Sequence, residues 1–312
     1  MSTVIVTGAT GFVGSHLIGR LGREHRVIGW HRPGGSPPDH SLAAVWTPVD
    51  LADRDAVSRE IAAARPTQVY HLGGAANVAA SWRSATKFLE VNALGTHHVL
   101  EAVRRAGQAC RVLVVSSAQI YQASEEVLRE DSPIAPKSPY GFSKLAADDL
   151  ALRSARDEGL DVVVARPFNH IGPGQSPAYA VSHFARQIAR IEATLDPPII
   201  RVGNLEARRD VTDVRDVVEA YVSLMRAGRR GVPYNICSGR AWRMRDLLDE
   251  LLHLTNAEAH VEVDPTELRA VDVATIQGDS SRIRAELGWH PTFRVEQTLA
   301  DTVAWWRGHI QA

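Results

Sequence analysis

Tyr140 and Lys144 stand four residues apart in the run SPYGFSKLAADDL, a spacing that puts both side chains on one face of a helix. Ser138 followed by Pro139 supplies an N-cap and a first-turn proline for that helix. A tyrosine hydroxyl has an ordinary pKa of about 10, so proton exchange near neutrality asks for about 4 kcal/mol of interaction favouring the phenolate. A neighbouring ammonium supplies part of it. The pair therefore suits proton transfer, and Ser117 lies between it and a glycine turn at the start of the chain. Tyr-x-x-x-Lys also occurs on ordinary exposed helices, so its meaning depends on the elements around it.

The first of these elements is STVIVTGATGFVGSHLIGRL, which reads as a short apolar strand, a tight turn and an amphipathic helix. Gly8 can take backbone angles closed to other residues, Gly11 lets the backbone approach a pyrophosphate, and Gly14 lets helix and strand pack closely. The phosphates of a dinucleotide would sit at the helix N-terminus, where free N–H groups and the helix dipole favour anions. Beyond the second strand, RVIGWHRPGG offers His31 and Arg32 where an acidic residue would hydrogen-bond the ribose 2′-hydroxyl of NAD. Arg32 could instead pair with a 2′-phosphate. This favours NADP(H), with NAD(H) as the alternative. Asp50 and Leu51 follow a third strand, and YHLGGAANV ends a fourth beside the cofactor.

Strand-like runs at 3–7, 26–30, 45–49, 68–72, 111–116 and 161–166 alternate with helical stretches, which predicts an α/β fold with a doubly wound parallel (Rossmann) sheet. After Pro167 the pattern becomes irregular and rich in Gly and Pro, where a second, smaller substrate-binding lobe should begin. DVRDVVEAYVSLMRAG reads as a helix returning to the first domain. The expected division is residues 1–166 plus about 209–238 for the nucleotide-binding domain, and about 167–208 plus 239–312 for the lobe. Residues 31–41, HRPGGSPPDHS, read as a mobile loop over the adenosine phosphate.

Composition agrees with such an enzyme. The 312 residues carry a formal net charge of −1, which gives no electrostatic case for nucleic acid. No apolar run approaches the roughly 20 residues of a membrane span, and no signal peptide is visible. Cys110 and Cys237 lack metal-type spacing and suggest a reducing cytoplasm. His97 and His98 are adjacent on a helix, so they face different directions and make no metal pair; no metal is expected. Trp305 and Trp306 read as packing residues, and Arg226, Arg229 and Arg230 as a solvated helix end. His170 is open between shaping a pocket and contacting a ligand.

TGATGFVG, HLGGAANVAASW, VNALGTHHVLEA with Asn92, VVSSAQIY with Ser117, the Tyr140 and Lys144 pair and RPFNHIGPGQ together give a resemblance over essentially the whole length. The chain resembles an extended short-chain dehydrogenase/reductase of the NAD-dependent epimerase/dehydratase superfamily. The resemblance implies that Ser117 and Tyr140 hydrogen-bond the reacting oxygen while Lys144 also holds the nicotinamide ribose. It also implies Phe12, Val13, Leu72 and Pro167 at the cofactor, Ser81 at the substrate, and a homodimer through the helices after Asn92 and after Tyr140.

In the second half, RPFNHIGPGQSP, FARQIARIE, GNLEARRDVTDVRDVVEAY, PYNICSG and ELRAVDVATIQGDSSRIRAELGW are similar to GDP-4-keto-6-deoxy-mannose reductases, relatives of GDP-mannose 4,6-dehydratases. That likeness puts Arg269 at a diphosphate, although Ala270 stands where relatives commonly have proline, and Gln122 follows Tyr121 where they commonly have glycine. A nucleotide-sugar diphosphate wants arginine forks and amide donors, which Arg209, Arg269, Arg186 and Asn169 could provide from separate loops. A GDP-linked substrate is inferred from resemblance alone.

The reaction is read from the residues after Ser117. Sugar 4,6-dehydratases of this superfamily carry a carboxylate there that removes the C5 proton; Ala118 and Gln119 occupy those positions, and an amide does not titrate near neutrality. Reduction needs less. Hydride from NADPH at the C4 carbonyl, a proton from Tyr140 and a hydrogen bond from Ser117 to the developing alkoxide would suffice. The expectation is reduction of a nucleotide-linked 4-keto-6-deoxy sugar, GDP-4-keto-6-deoxy-D-mannose to GDP-D-rhamnose. The alternatives are a nucleotide-sugar epimerase, a GDP-mannose 4,6-dehydratase-like enzyme, or a cofactor-sensing scaffold on the same fold.

Overall fold

The fold is given by a computed structural model that describes residues 2–35, 44–255, 257–267 and 273–310. In chain order the elements are β1 (Thr3–Thr7), α1 (Phe12–Leu21), β2 (Arg26–His31), β3 (Ala44–Pro48), α2 (Arg54–Ala64), β4 (Gln68–His71), α3 (Val78–Ser81) and α4 (Ala85–Phe88). A π-helical turn, Leu89–Leu94, leads into α5 (Gly95–Ala106), β5 (Arg111–Val115), α6 (Pro139–Asp157), β6 (Asp161–Pro167), β7 (Asn169–Ile171) and α7 (Ala180–Glu192). Then come β8 (Ile199–Val202), β9 (Arg208–Asp213), α8 (Val214–Ala227), β10 (Pro233–Ile236), β11 (Ala241–Arg243), α9 (Met244–Thr255), β12 (His260–Val263), β13 (Thr275–Ile276), α10 (Ser281–Leu287) and α11 (Val295–Arg307).

Seven parallel strands in the order β10-β6-β5-β4-β1-β2-β3 form the main sheet. Its strands are apolar on both faces, as TVIVT and DVVVARP illustrate, because helices cover both. Leu17, Ile18, Val217 and Leu224 of α1 and α8 fill one face; Val57, Val99, Leu100 and Ala151 of α2, α5 and α6 fill the other. The order reverses beside β1, so the C-terminal ends of β1 and β4 open a crevice there. The six strands and the return helix expected from the sequence all form within a residue or two of their expected bounds.

Two small sheets, β11-β9-β13 with β7 on β9, and β12-β8, pack with α7, α9 and α11 around Phe184, Ile188, Leu247 and Leu299. Arg208–Asp213 pairs with β7, β11 and β13, so this strand joins the small sheet and the chain returns to the main one only at Val214. The division expected at about 209 thus falls within this strand. α10 likewise sits against β10 and α8, with Ile283 and Trp289 in the main core. Of the loop expected at 31–41, residues 36–41 lie outside the described residues. No helix among the described residues is long and apolar enough to cross a membrane.

Candidate active site

After Thr7 the chain turns through Gly8, whose φ of +65° lies in the left-handed region. A Cβ on Gly8 would come within 2.8 Å of Gly73 Cα, and one on Gly14 within 2.3 Å of the Gly8 carbonyl oxygen. Only glycine fits either position. Gly11 is the N-cap of α1 and no side chain caps it, which leaves first-turn N–H groups to an anion. The Phe12 ring stacks on His170 at 5.9 Å and 12°, while Val13 packs into the main core. Leu51 presses on the crevice floor, where a Cβ on Gly73 would lie 2.6 Å from its Cδ1, and half-buried Leu72 adjoins it. Such a cradle, closed to Cβ atoms and open to an anion, fits a dinucleotide. Arg32 lies exposed just past β2, Asp50 is exposed past β3 with its Oδ1 accepting from Ala52 N, and Pro167 closes β6 buried.

Ser138 caps α6 by accepting from Gly141 N at 3.0 Å, and Pro139 opens the helix, as the sequence predicts. A Cβ on Gly141 would lie 2.5 Å from the Gln119 carbonyl oxygen, so a glycine beside Tyr140 lets α6 press on the turn that follows β5. That turn begins at Ser117, whose Oγ accepts from Gln119 N at 3.1 Å and is hydrogen-bonded to the Tyr140 hydroxyl. Ser117, Tyr140 and Lys144 are all buried and converge at the end of β5.

Their electrostatics differ from the sequence-based expectation. Burial pushes the Tyr140 hydroxyl up to about 12, with Ser117 pulling the other way and nearby Tyr179 adding to the rise. The Lys144 ammonium donates to the Val115 carbonyl, and burial draws its pKa from 10.5 to about 8 against the opposing pull of Asp148. The tyrosine is therefore held as an acid, because desolvation outweighs the opposing pull of Ser117. Asp148 is itself paired with buried Arg166 at 2.9 Å.

Asn92, on the π turn, ties this centre together. Its Oδ1 accepts from Ala75 N at 2.7 Å and its Nδ2 donates to Ala75 O at 3.0 Å and Ser143 Oγ at 2.8 Å. A Cβ on Gly74 would lie 2.7 Å from Asn92 Oδ1 and 3.9 Å from Lys144 Nζ. The wide turn thus aims an amide at the first turn of α6.

The expected substrate residues divide. Arg209 is buried on β9, the inner strand of the small sheet, and its Nη1 donates to the Arg208 carbonyl at 2.8 Å and the Val273 carbonyl at 2.7 Å. Asn169 opens β7 exposed, and His170 donates from Nδ1 to Phe168 O at 3.0 Å, so it is fixed against Phe12. Arg186 lies over the Trp306 ring at 5.8 Å, in contact with the lobe's own core. Ser81, the last residue of α3, is fully buried and its hydroxyl donates to Val78 O at 2.6 Å. Arg269, with Ala270, lies outside the described residues. A hollow of about 30 Å³ is walled by Gln119, Gln122 and Lys137 on one side and Thr275 and Ile276 of β13 on the other. Tyr179, which the fold brings near Tyr140, and Lys137 at this hollow were not singled out by sequence.

A doubly wound sheet with a glycine turn at its crevice and a buried Ser-Tyr-Lys trio defines an extended short-chain dehydrogenase/reductase. The GDP-mannose 4,6 dehydratase family profile matches residues 5–302, and the chain belongs to that family. It is 34% identical over 99% of its length to the GDP-6-deoxy-D-mannose reductase of Pseudomonas aeruginosa, covering 98% of that protein. Among solved structures, it superposes on RMD from Pseudomonas aeruginosa complexed with NADPH with a TM-score of 0.87, 32% identity, and coverage of 99% of this chain and 100% of that one. UDP-glucose 4-epimerase of Thermus thermophilus, in complex with NAD, superposes with a TM-score of 0.88 at 28% identity, with the same coverage.

Proposed function

We propose that the protein is an NADPH-dependent reductase of a nucleotide-linked 4-keto-6-deoxy sugar, with GDP-4-keto-6-deoxy-D-mannose as substrate and GDP-D-rhamnose as product. The observation that carries this reading is a tyrosine held as an acid beside Ser117, with the non-titrating amide of Gln119 where a dehydratase needs a carboxylate. Bound NADPH would supply the hydride. Ser117 orients the ketone oxygen and Tyr140 gives it a proton as negative charge develops. Lys144, charged below about pH 8, stabilises the phenolate that remains. Asn92 holds the first turn of α6 so that the Tyr140 hydroxyl stays at the oxygen.

The preference for NADPH rests on Arg32 at the end of β2, where a carboxylate would repel a 2′-phosphate. The cofactor belongs on the main sheet, and the sugar nucleotide between its crevice and the smaller lobe, with Arg209, Arg269 and Asn169 toward the diphosphate. Exposed Trp82, Leu89, Leu94 and Phe142 on and beside α4, the π turn and α6 fit a second copy of the chain. Sedimentation of Phe142→Glu as a monomer against a dimeric wild type would test that pairing. A cytoplasmic setting suits Cys110 and Cys237, both buried thiols whose pKa values burial pushes up.

Single-turnover NADPH oxidation with GDP-4-keto-6-deoxy-D-mannose, alongside the UDP- and dTDP-linked 4-keto sugars, tests the reading. Consumption with the GDP sugar alone is expected. Consumption with none, in protein that binds NADPH, would overturn it and favour the epimerase reading.

A further inference from the structure

A buried run of hydrogen bonds joins the glycine turn to the catalytic helix. Gly73 N donates to Thr7 Oγ1 at 2.8 Å, and Thr7 Oγ1 lies 2.8 Å from His71 Nδ1. His71 Nε2 lies 3.0 Å from Thr96 Oγ1, which in turn donates to the Asn92 carbonyl at 2.6 Å. Asn92 Nδ2 donates to Ser143 Oγ, and Ser143 Oγ donates to the Tyr140 carbonyl at 2.7 Å. Thr7, His71, Thr96, Asn92 and Ser143 are all buried.

One proton per hydroxyl fixes the direction of every link. Thr96 gives its proton to Asn92 O, so it accepts from His71, and Nε2 carries the ring hydrogen. Nδ1 is then bare and accepts the Thr7 proton, while a Thr7 lone pair takes the Gly73 N–H. Burial, with repulsion from Lys144 added, holds His71 down to about 3, so the ring stays neutral. A rigid neutral imidazole thus accepts toward one half of the site and donates toward the other.

We propose that His71 is a positioning residue that keeps the cofactor turn and the catalytic tyrosine in register, the first through Nδ1 and Thr7, the second through Nε2, Thr96 and Asn92. This goes beyond the reductase reading and rests on it only for the turnover measurement. The two links can be cut separately. In His71→Asn the amide oxygen replaces the Nδ1 acceptor and the donor to Thr96 is lost; in His71→Gln the amide nitrogen replaces the Nε2 donor and the acceptor for Thr7 is lost.

The test compares NADPH dissociation constants, kcat with the keto sugar, and thermal stability for both variants. His71→Gln should weaken NADPH by about tenfold, more than it lowers kcat; His71→Asn should lower kcat by about tenfold, more than it weakens NADPH. Thr7→Val and Thr96→Val cut the same links and should divide in the same way, which keeps the test if either histidine variant does not fold. Nitrogen NMR of labelled wild type should give the Nε2–H tautomer unchanged from about pH 6 to about pH 9. Loss of stability with NADPH affinity and kcat unchanged, parallel loss of both in both variants, or an Nδ1–H tautomer would overturn the proposal. If wild type turns over no keto sugar, the substrate reading fails, while NADPH affinity and the tautomer still decide the role of His71.

Discussion

Replacing Lys144 with methionine should inactivate the protein and, at neutral pH, stabilise its fold. The ammonium is buried beside the Val115 carbonyl, and burial lowers its pKa from 10.5 to about 8. The folded chain gives up that proton before the unfolded chain does, so below about pH 8 the folded state carries a charge it holds at a disadvantage of about 3 kcal/mol. Methionine offers similar bulk without charge, but leaves the Val115 carbonyl without its donor, a loss of about 1–3 kcal/mol. The balance is a gain of about 0–2 kcal/mol, or up to about 5 °C in Tm. Its pH dependence is the sharper signature. Between about pH 8 and 10.5 only the unfolded wild type still binds the proton, so wild-type stability rises with pH there; the variant lacks this rise, and the gap between them closes. Denaturant unfolding of both proteins at about pH 7, 9 and 10, with NADPH oxidation measured in parallel, checks this. A variant less stable than wild type by more than about 1 kcal/mol at pH 7, or a gap unchanged by pH, would refute the reasoning.

Tyr140→Phe should lower kcat by about 10²–10⁴-fold while NADPH affinity stays near wild type, as read by fluorescence titration. For reduction, kcat/KM should be flat near neutrality and fall above about pH 8 as Lys144 loses its proton, whereas Tyr140, at about 12, contributes no break in that range. Arg32→Asp should shift preference from NADPH toward NADH, by about tenfold or more in the ratio of kcat/KM values, through loss of the charge-assisted contact and repulsion of the 2′-phosphate.

Much of the main sheet was legible because its signals are local. VIV, VIGW, VLVV and VVVA are short, mostly β-branched apolar runs that suit strands covered on both faces, and the glycines of TGATGFVG state their own spacing. Where the smaller lobe ends was not legible, because RRDVTD carries no local signal of the sheet it joins; pairing with β7, β11 and β13 decides that. The trio was readable as residue types in order, but the acidity of Tyr140 was not. The acidity of a hydroxyl depends on how much water the fold removes from it, and here burial outweighs the pull of Ser117. The burial of Ser81 and the contact of Arg186 with Trp306 were not legible for a related reason, since motif position does not reveal which way a side chain turns. Thr7, His71 and Thr96 are far apart in sequence and join through strands and a helix that meet only in the fold.

The pairing of β10 with β6 sets an order of events during synthesis. β6 carries the run VVVA and borders β5 on one side, but its other partner is translated only after β7, α7, β8, β9 and α8. A nascent chain that has released β6 therefore presents a bare apolar strand edge until Ile236 has left the ribosome, an interval of several seconds at about 5–20 residues per second. During that interval the half-made sheet is open to pairing with other chains. Truncations that end between Pro167 and Pro233 should consequently aggregate even though they contain the entire glycine turn and Ser117, Tyr140 and Lys144, and co-expression of a chaperone that shields strand edges should raise the yield of the full-length protein.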